Sequence, residues 1–126
     1  MATTRPPPNW IAELRVVIVH PDGRRVAGHI AIGQPYTLGG SDPAGSCESH
    51  CPVEIDGIHS RVHPIIGGGT LQALLLGVQF LGMMLHDFVS RGGRVLDPDD
   101  DSDVALAALF GPMLREITLP DSDASQ

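Results

Sequence analysis

The sequence predicts an α+β fold in which a four-stranded antiparallel sheet, made of two hairpins, packs on one long helix beside a short C-terminal helix. Two pairs of β-type segments, each pair joined by a turn sequence, precede a charge-free helical pattern that starts near residue 70. A chain of 126 residues is one domain's worth of polypeptide. We expect an extended leader over 1–9, one domain over 10–120 and a disordered tail over 121–126.

The first hairpin is predicted between residues 14 and 32. Leu14–His20 is rich in β-branched residues, which favour strands. Pro21-Asp22-Gly23 predicts a turn, because proline fixes φ and glycine accepts a left-handed conformation. Val26–Ile32 then alternates, which predicts the second strand of the hairpin. One face is expected to hold Val26, Gly28, Ile30 and Ile32, and the other Ala27, His29 and Ala31.

The second hairpin is predicted after a loop over residues 33–49. Cys51–Asp56 alternates, with Cys51, Val53 and Ile55 expected to point inward. Asp56-Gly57 begins a turn, and Val62–Ile66 is the expected return strand. Pro64 predicts that this strand lies at a sheet edge, because proline has no N–H to donate to a neighbouring strand.

The helical pattern runs from Thr70 to about Ser90, and Thr70 is the expected cap. A wide apolar face is predicted from Leu71, Leu74, Leu75, Val78, Leu81 and Leu85. The polar positions Gln72, Gln79 and His86 are seven residues apart, so they form one narrow stripe. Gly77 and Gly82 predict close backbone contact, because glycine costs about 1 kcal/mol in a helix interior. Ala73 and Gly77 form a notch of small residues in which a strand or a second helix could pack.

The C-terminal quarter is predicted to hold an acidic loop and a short helix. Arg94–Leu96 is a candidate short strand, and residues 97–103 read DPDDDSD. Ser102 is expected to cap a helix over 103–110. The apolar residues expected to cover the open flank of the long helix are Val104, Leu106, Leu109 and Phe110.

The charge distribution argues against nucleic acid as a partner. The formal net charge is −7, from 15 acidic and 8 basic residues, and every base is arginine. Residues 1–96 are neutral, so the whole excess of acid lies in the last 30 residues. A neutral body with an acidic tail offers no basic stripe to neutralise phosphates. The use of arginine alone, with 15 Gly and 11 Pro, is typical of a high-GC bacterial gene. The N-terminus lacks the apolar run of a signal peptide, so we also expect a cytoplasmic protein with reduced thiols.

A membrane-spanning segment is not expected either. Ile65–Leu85 carries no charge, but Gly67-Gly68-Gly69 interrupts it and would leave backbone groups without partners in lipid. The uninterrupted part, Leu71–Leu85, is shorter than the ~20 residues that a span requires. A buried core helix is therefore the prediction.

The cluster that could carry chemistry combines cysteine and histidine. Cys47-x3-Cys51 and His59-x3-His63 each place two ligands at a spacing that suits one zinc ion. Only seven residues separate the pairs, where zinc fingers have about a dozen. The alternative is that Cys51 is a core residue and the histidines lie in surface turns. A Cys–His nucleophile pair, which could also use His50, lacks a recognisable third orienting group.

Two further motifs are weak. Asp97, Asp99, Asp101 and Asp103 fall at alternate positions, as in a calcium loop, but Ser102 and Ala108 stand where that loop needs glycine and glutamate. The triple glycine before the long helix could cradle an anion. A phosphate-binding P-loop also needs a lysine, and the chain has none, so a flexible strand-to-helix connection is the simpler interpretation. We therefore assign no catalytic or cofactor-binding residue.

A resemblance supports the predicted fold. The chain leaves its first hairpin through Ile32-Gly33-Gln34-Pro35. It continues with the strand Cys51-Pro52-Val53-Glu54-Ile55-Asp56-Gly57. It then has Ile66-Gly67-Gly68 before a helix that begins Leu71-Gln72-Ala73-Leu74-Leu75-Leu76. It resembles a family of small bacterial domains of unknown function over roughly residues 13–96. Thr70 and Gly69 stand where that family is expected to have serine and aspartate. The resemblance implies a sheet under one long helix, and it implies no activity or site.

Two functions remain open. The first is a non-catalytic protein-interaction module, either a homodimer through the long helix or an inhibitor of a basic protein through the acidic tail. The second is a small zinc-binding domain that uses Cys47, Cys51, His59 and His63. No cofactor other than zinc is expected.

Overall fold

A computed structural model describes residues 7–37 and 48–111 of the chain, and this part forms an α+β domain. The elements are β1 (Trp10–Val19), β2 (Arg25–Gly33), β3 (Tyr36–Thr37), β4 (Ser49–Asp56), β5 (Val62–Gly67), α1 (Thr70–Ser90), β6 (Arg94–Leu96) and α2 (Leu106–Phe110). The predicted class is confirmed: an antiparallel sheet with one long helix and one short helix. Residues 1–6, 38–47 and 112–126 lie outside the described residues, and with them most of the predicted leader over 1–9 and all of the predicted tail over 121–126.

Within residues 7–37 and 48–111 the sheet already has six strands, so the prediction of four was wrong. The two predicted hairpins, β1–β2 and β4–β5, are present and are joined by pairing of β2 with β4. The added strands are short. β6 pairs with Val17–Val19 of β1, and β3 pairs with Ser49 and His50 of β4. Strands of two or three residues carry no periodic signal, and only their neighbours in the sheet make them strands.

Two prolines shape β4 and the edge of the sheet. Pro52 of β4 lies opposite Pro64 of β5. Opposed residues in an antiparallel ladder either exchange both backbone hydrogen bonds or exchange neither, so two prolines must form a non-bonded pair. The N atom of Pro52 therefore faces the other neighbour of β4, at the place where that neighbour changes from β2 to β3. The N atom of Pro64 faces outward from β5, which confirms the predicted edge strand.

The core lies between one face of the sheet and α1, which packs mainly on β4 and β5. The predicted inward face of Cys51, Val53 and Ile55 is confirmed, and on β2 the face that holds Ile30 and Ile32 turns toward the core. The buried residues of the core are Val16, Ile18, Ile30, Ile32, Cys51, Val53, Ile55, Ala73, Leu81, Leu85 and Val95. Gly77 is also buried, and Ala73 and Gly77 form the predicted notch into which the sheet packs.

Three local predictions about the helices were wrong. Thr70 is the first residue of α1, and the cap position is Gly69, which offers no side-chain hydrogen bond. Leu71 and Leu75 were expected in the buried face, but they are 68% and 45% exposed. The helix expected over 103–110 begins only at Leu106, because Asp103 forms a β-bridge with Leu96 and so extends the sheet edge.

Candidate functional site

Cys51 lies on β4, in the centre of the core, and its thiol is inaccessible. The residue is fully buried, and its Sγ donates a hydrogen bond to Gly33 O at 3.4 Å. Burial raises the pKa of the Cys51 thiol to about 11. A thiol in this state is protonated at neutral pH, so it is neither a nucleophile nor a ready metal ligand.

His59 and His63 are brought together at the β4–β5 end of the domain. Their ring centroids lie 5.5 Å apart in an edge-to-face arrangement, and the His63 ring also lies 5.2 Å from that of Phe80 on α1. Nε2 of His63 is buried without a hydrogen-bond partner among the described residues. Burial, followed by the positive charges of His59 and Arg61, lowers the pKa of His63. His63 is therefore a neutral imidazole packed against an aromatic ring.

The four residues of the zinc prediction are not assembled in the described part of the chain. The hairpin does return His63 to the face that holds Cys51, but His63 lies opposite Val53, and the thiol is directed to Gly33 on the other side of β4. His50 points to the opposite face and stacks on Tyr36. Within residues 7–37 and 48–111, no three His, Cys, Asp or Glu side chains could share a metal ion. Cys47 lies outside the described residues, so the four-residue site stays a prediction.

The acidic loop is held by the protein's own arginines. Arg25 binds Asp101 at 2.9 Å, and Arg94 contacts both carboxylate oxygens of Asp103, at 3.1 and 3.2 Å. These carboxylates thus point at different arginines of the sheet and not at a common centre. The Ser102 hydroxyl and N–H both donate to Asp100, which lowers the pKa of that carboxyl. The loop therefore fastens the segment after β6 to the sheet.

The glycine segment before α1 is also used internally. The N–H of Gly68 donates to the side-chain oxygen of Gln72, and the N–H of Ala73 donates to Gly69 O. Gly67 is required by packing, because a Cβ there would lie 2.5 Å from the backbone N of Ala73. The segment is a strand-to-helix connection, as the simpler of the two interpretations had it, but it is close-packed at Gly67, where that interpretation expected flexibility.

A charged cluster on the open face of the sheet was not singled out from the sequence. His29 on β2 bonds Glu54 through Nδ1 at 2.9 Å and Glu13 through Nε2 at 2.7 Å. Both ring nitrogens of one imidazole are thus within hydrogen-bond distance of a carboxylate oxygen. Strand alternation could have placed the three residues on one face, but the pairing of β2 with both β1 and β4 was needed to bring them together.

The surface that stands out is the outward face of α1. Leu71, Leu75 and Met83 are 68%, 45% and 52% exposed. Only 28% of the most apolar 18-residue stretch of this helix is buried, and its length and composition alone would also suit a membrane span. Core helices of soluble proteins share those two properties. We call the exposed positions Leu71, Gln72, Leu75, Met83 and His86, with half-buried Leu76 and Gln79, the α1 stripe.

The short helix α2 covers one flank of α1 only in part. Val104, Leu106 and Phe110 pack against the core as predicted, whereas Leu109 is 53% exposed. A groove of about 360 Å³ remains between α2, Val78 and Leu81 of α1, and the N-terminal half of β1. The C-terminal segment that was predicted to cover the open flank of the long helix therefore lies beside the α1 stripe and does not extend over it.

Comparisons with known proteins add no information about this site. No family model, no curated protein and no solved structure matches the chain. The resemblance to small bacterial domains of unknown function stays a prediction.

Proposed function

We propose that this protein is a non-catalytic protein-interaction module that binds its partner through the α1 stripe. The observation that carries the proposal is the exposure of Leu71, Leu75 and Met83 on α1. These residues lie in a segment, Ile65–Leu85, that contains no charged residue. Apolar side chains grouped on one exposed surface typically mark a protein interface.

A protein partner fits this surface better than lipid does. α1 is already fixed along one side to β4 and β5, and its polar positions Gln72, Gln79 and His86 lie along the middle of the exposed stripe. These three side chains offer hydrogen-bonding groups at regular intervals, which a protein surface satisfies and a hydrocarbon layer does not.

The inhibitor version of the module, in which the acidic segment binds a basic protein, receives less support. Asp101 and Asp103 are engaged by Arg25 and Arg94, so part of the acidic charge is already neutralised within the domain. Exposed ion pairs contribute little to stability, but they do compete with an external basic group for the same carboxylate. We therefore assign binding to α1.

Site-specific photo-crosslinking tests the proposal. Benzoylphenylalanine replaces Leu75 in the full chain, and the matched control replaces Ile11, an apolar residue of β1 that is 53% exposed and lies outside the α1 stripe. We expect irradiation to attach one defined protein, which can be a second copy of the chain, at position 75 and not at position 11. Equal labelling at both positions, or none at either, would overturn the proposal.

A further inference from the structure

We propose that the protein bound by the α1 stripe is a second copy of this chain, in an antiparallel pair of α1 helices whose two-fold axis passes through Gln79. This inference rests on the proposed function and names its partner. It gives self-association through the long helix a defined geometry.

The centre of the exposed face lies at Gln79. Successive residues of a helix are 100° apart, so Gln72, Gln79 and His86 project from the side opposite to Leu81, which is buried against the sheet. Gln72 and His86 are exposed, and Gln79 is half-buried. A second helix that approaches along the outward direction therefore meets Gln79 first.

The sequence of the stripe is self-complementary about that residue. A two-fold axis at Gln79 brings each position opposite the one equally far away on the other side. Leu75 then meets Met83 of the second copy, and Gln72 meets His86, while Leu71 meets Asp87 at each end of the contact. Between those ends, exposed apolar groups thus face apolar groups and polar groups face polar groups. An isologous interface requires this kind of pattern.

Charge and dipole favour the antiparallel arrangement over the parallel one. In a parallel pair the two helix dipoles would align, and Asp87 would face Asp87 of the second copy. In the antiparallel pair the dipoles oppose each other, and each Asp87 stays beside Arg91 of its own helix, with which it forms an ion pair at 3.1 Å. No charged residue lies between the ends of the stripe.

Gln79 would set the register. Two glutamine side chains at the axis can each donate to and accept from the other, so neither amide is left unsatisfied. A single polar residue within an apolar helix contact is known to fix register and orientation. From Gln72 to His86 the contact spans about 21 Å along the helix. A strip of that length and about 10 Å wide, the diameter of a helix, covers roughly 210 Å². A standard interface covers ~800 Å² per partner, so we expect a reversible dimer that dissociates on dilution.

Single cysteines distinguish this geometry from the others. In a Cys47→Ser background, which leaves only the buried Cys51, the variants are Gln79→Cys, Gln72→Cys and His86→Cys. A disulfide needs Cα atoms within about 7 Å. We expect Gln79→Cys to cross-link to itself under mild oxidation. Gln72→Cys and His86→Cys should each cross-link alone at least ten-fold less, since their copies lie about 21 Å apart, whereas a mixture of the two should cross-link. Cross-linking of every variant alone would show a parallel pair, and cross-linking of none would show no pair; both overturn the inference.

Sedimentation of the unmodified chain provides a measurement that depends on no substitution. We expect a rise from monomer to dimer mass with concentration, loss of the dimer in Gln79→Glu and in Gln79→Lys, and its return when the two variants are mixed. A wild-type chain that is monomeric at every concentration would overturn the inference. If benzoylphenylalanine at position 75 then captures a different protein, the interaction module stands and only the dimer fails. If it captures nothing, both proposals fail.

Discussion

Gly77 of α1 lies directly over Cys51 of β4, so close that a Cβ on residue 77 would lie 3.1 Å from Sγ of the cysteine. The same Cβ would lie 3.2 Å from Cγ1 of Val53 and 3.3 Å from Cδ1 of Ile32. A helix with a larger residue at this position would have to sit farther from the sheet. The contact explains why a residue that costs about 1 kcal/mol in a helix interior stands in the middle of α1.

We expect Gly77→Ala to destabilise the protein by about 1 kcal/mol. Alanine favours the helix by ~1 kcal/mol over glycine, but overpacking a filled core costs roughly 1–3 kcal/mol, and three buried neighbours would all have to yield. The double variant Cys51→Ala/Gly77→Ala should lose less than the sum of the single variants, because the smaller side chain makes room. Urea denaturation measures all three, and a net gain of stability in Gly77→Ala would show that the contact is loose.

The triple glycine should be required at one position only. A Cβ on Gly67 would lie 2.5 Å from the backbone N and 2.8 Å from Cα of Ala73, and backbone has no freedom to move aside. We expect Gly67→Ala to cost more than about 2 kcal/mol of unfolding free energy. Gly69→Ala is the matched control, since it has no neighbour within 4 Å and an extended φ of −173°. Its effect should stay within about 0.5 kcal/mol, and equal losses in both variants would contradict this account.

The Cys51 thiol should resist modification while the protein is folded. With the pKa raised to about 11, only ~0.1% of the thiol is ionised at pH 8, and only the thiolate reacts. In the Cys47→Ser background we expect labelling by a thiol reagent to be at least about 100-fold slower in buffer than in strong urea. Similar rates in the two solvents would show that Cys51 is accessible, and would restore it as a candidate metal ligand.

The stability of the protein should depend on the protonation of His63. Its pKa in the folded state is lowered, chiefly by burial, from the ordinary value of 6.5. Below about pH 6.5 the unfolded chain therefore takes up a proton that the folded protein resists. This contribution to stability is present above that pH and is lost as the pH falls through the lowered pKa.

Urea midpoints between pH 7.5 and 5 test this dependence. We expect the wild type to lose more stability over that interval than His63→Gln does. The control His86→Gln changes an exposed residue of α1 and should keep the wild-type slope. Parallel curves for the wild type and His63→Gln would contradict the role of His63.

The candidate site was predicted only in part, and the reason lies in how α1 is covered. Its spacing identified the helix and the polar positions Gln72, Gln79 and His86 correctly. The apolar pattern placed Leu71 and Leu75 in the core, because a nearly continuous apolar run marks no boundary between a covered flank and an open one. That boundary depends on which flanks of α1 the sheet and α2 cover, and α2 lies beside Val78 and Leu81.

The sequence by itself determined the local elements: both hairpins, the inward residues Val53 and Ile55, the edge position of Pro64, and α1 from Thr70 to Ser90. These follow from backbone geometry and from residue alternation, which are properties of neighbouring residues. Only the tertiary structure decided that β6 completes the sheet, that Cys51 is sealed beneath Gly77, and that Leu75 and Met83 face outward. Each of these depends on the distance between segments far apart in the chain, which no local pattern encodes.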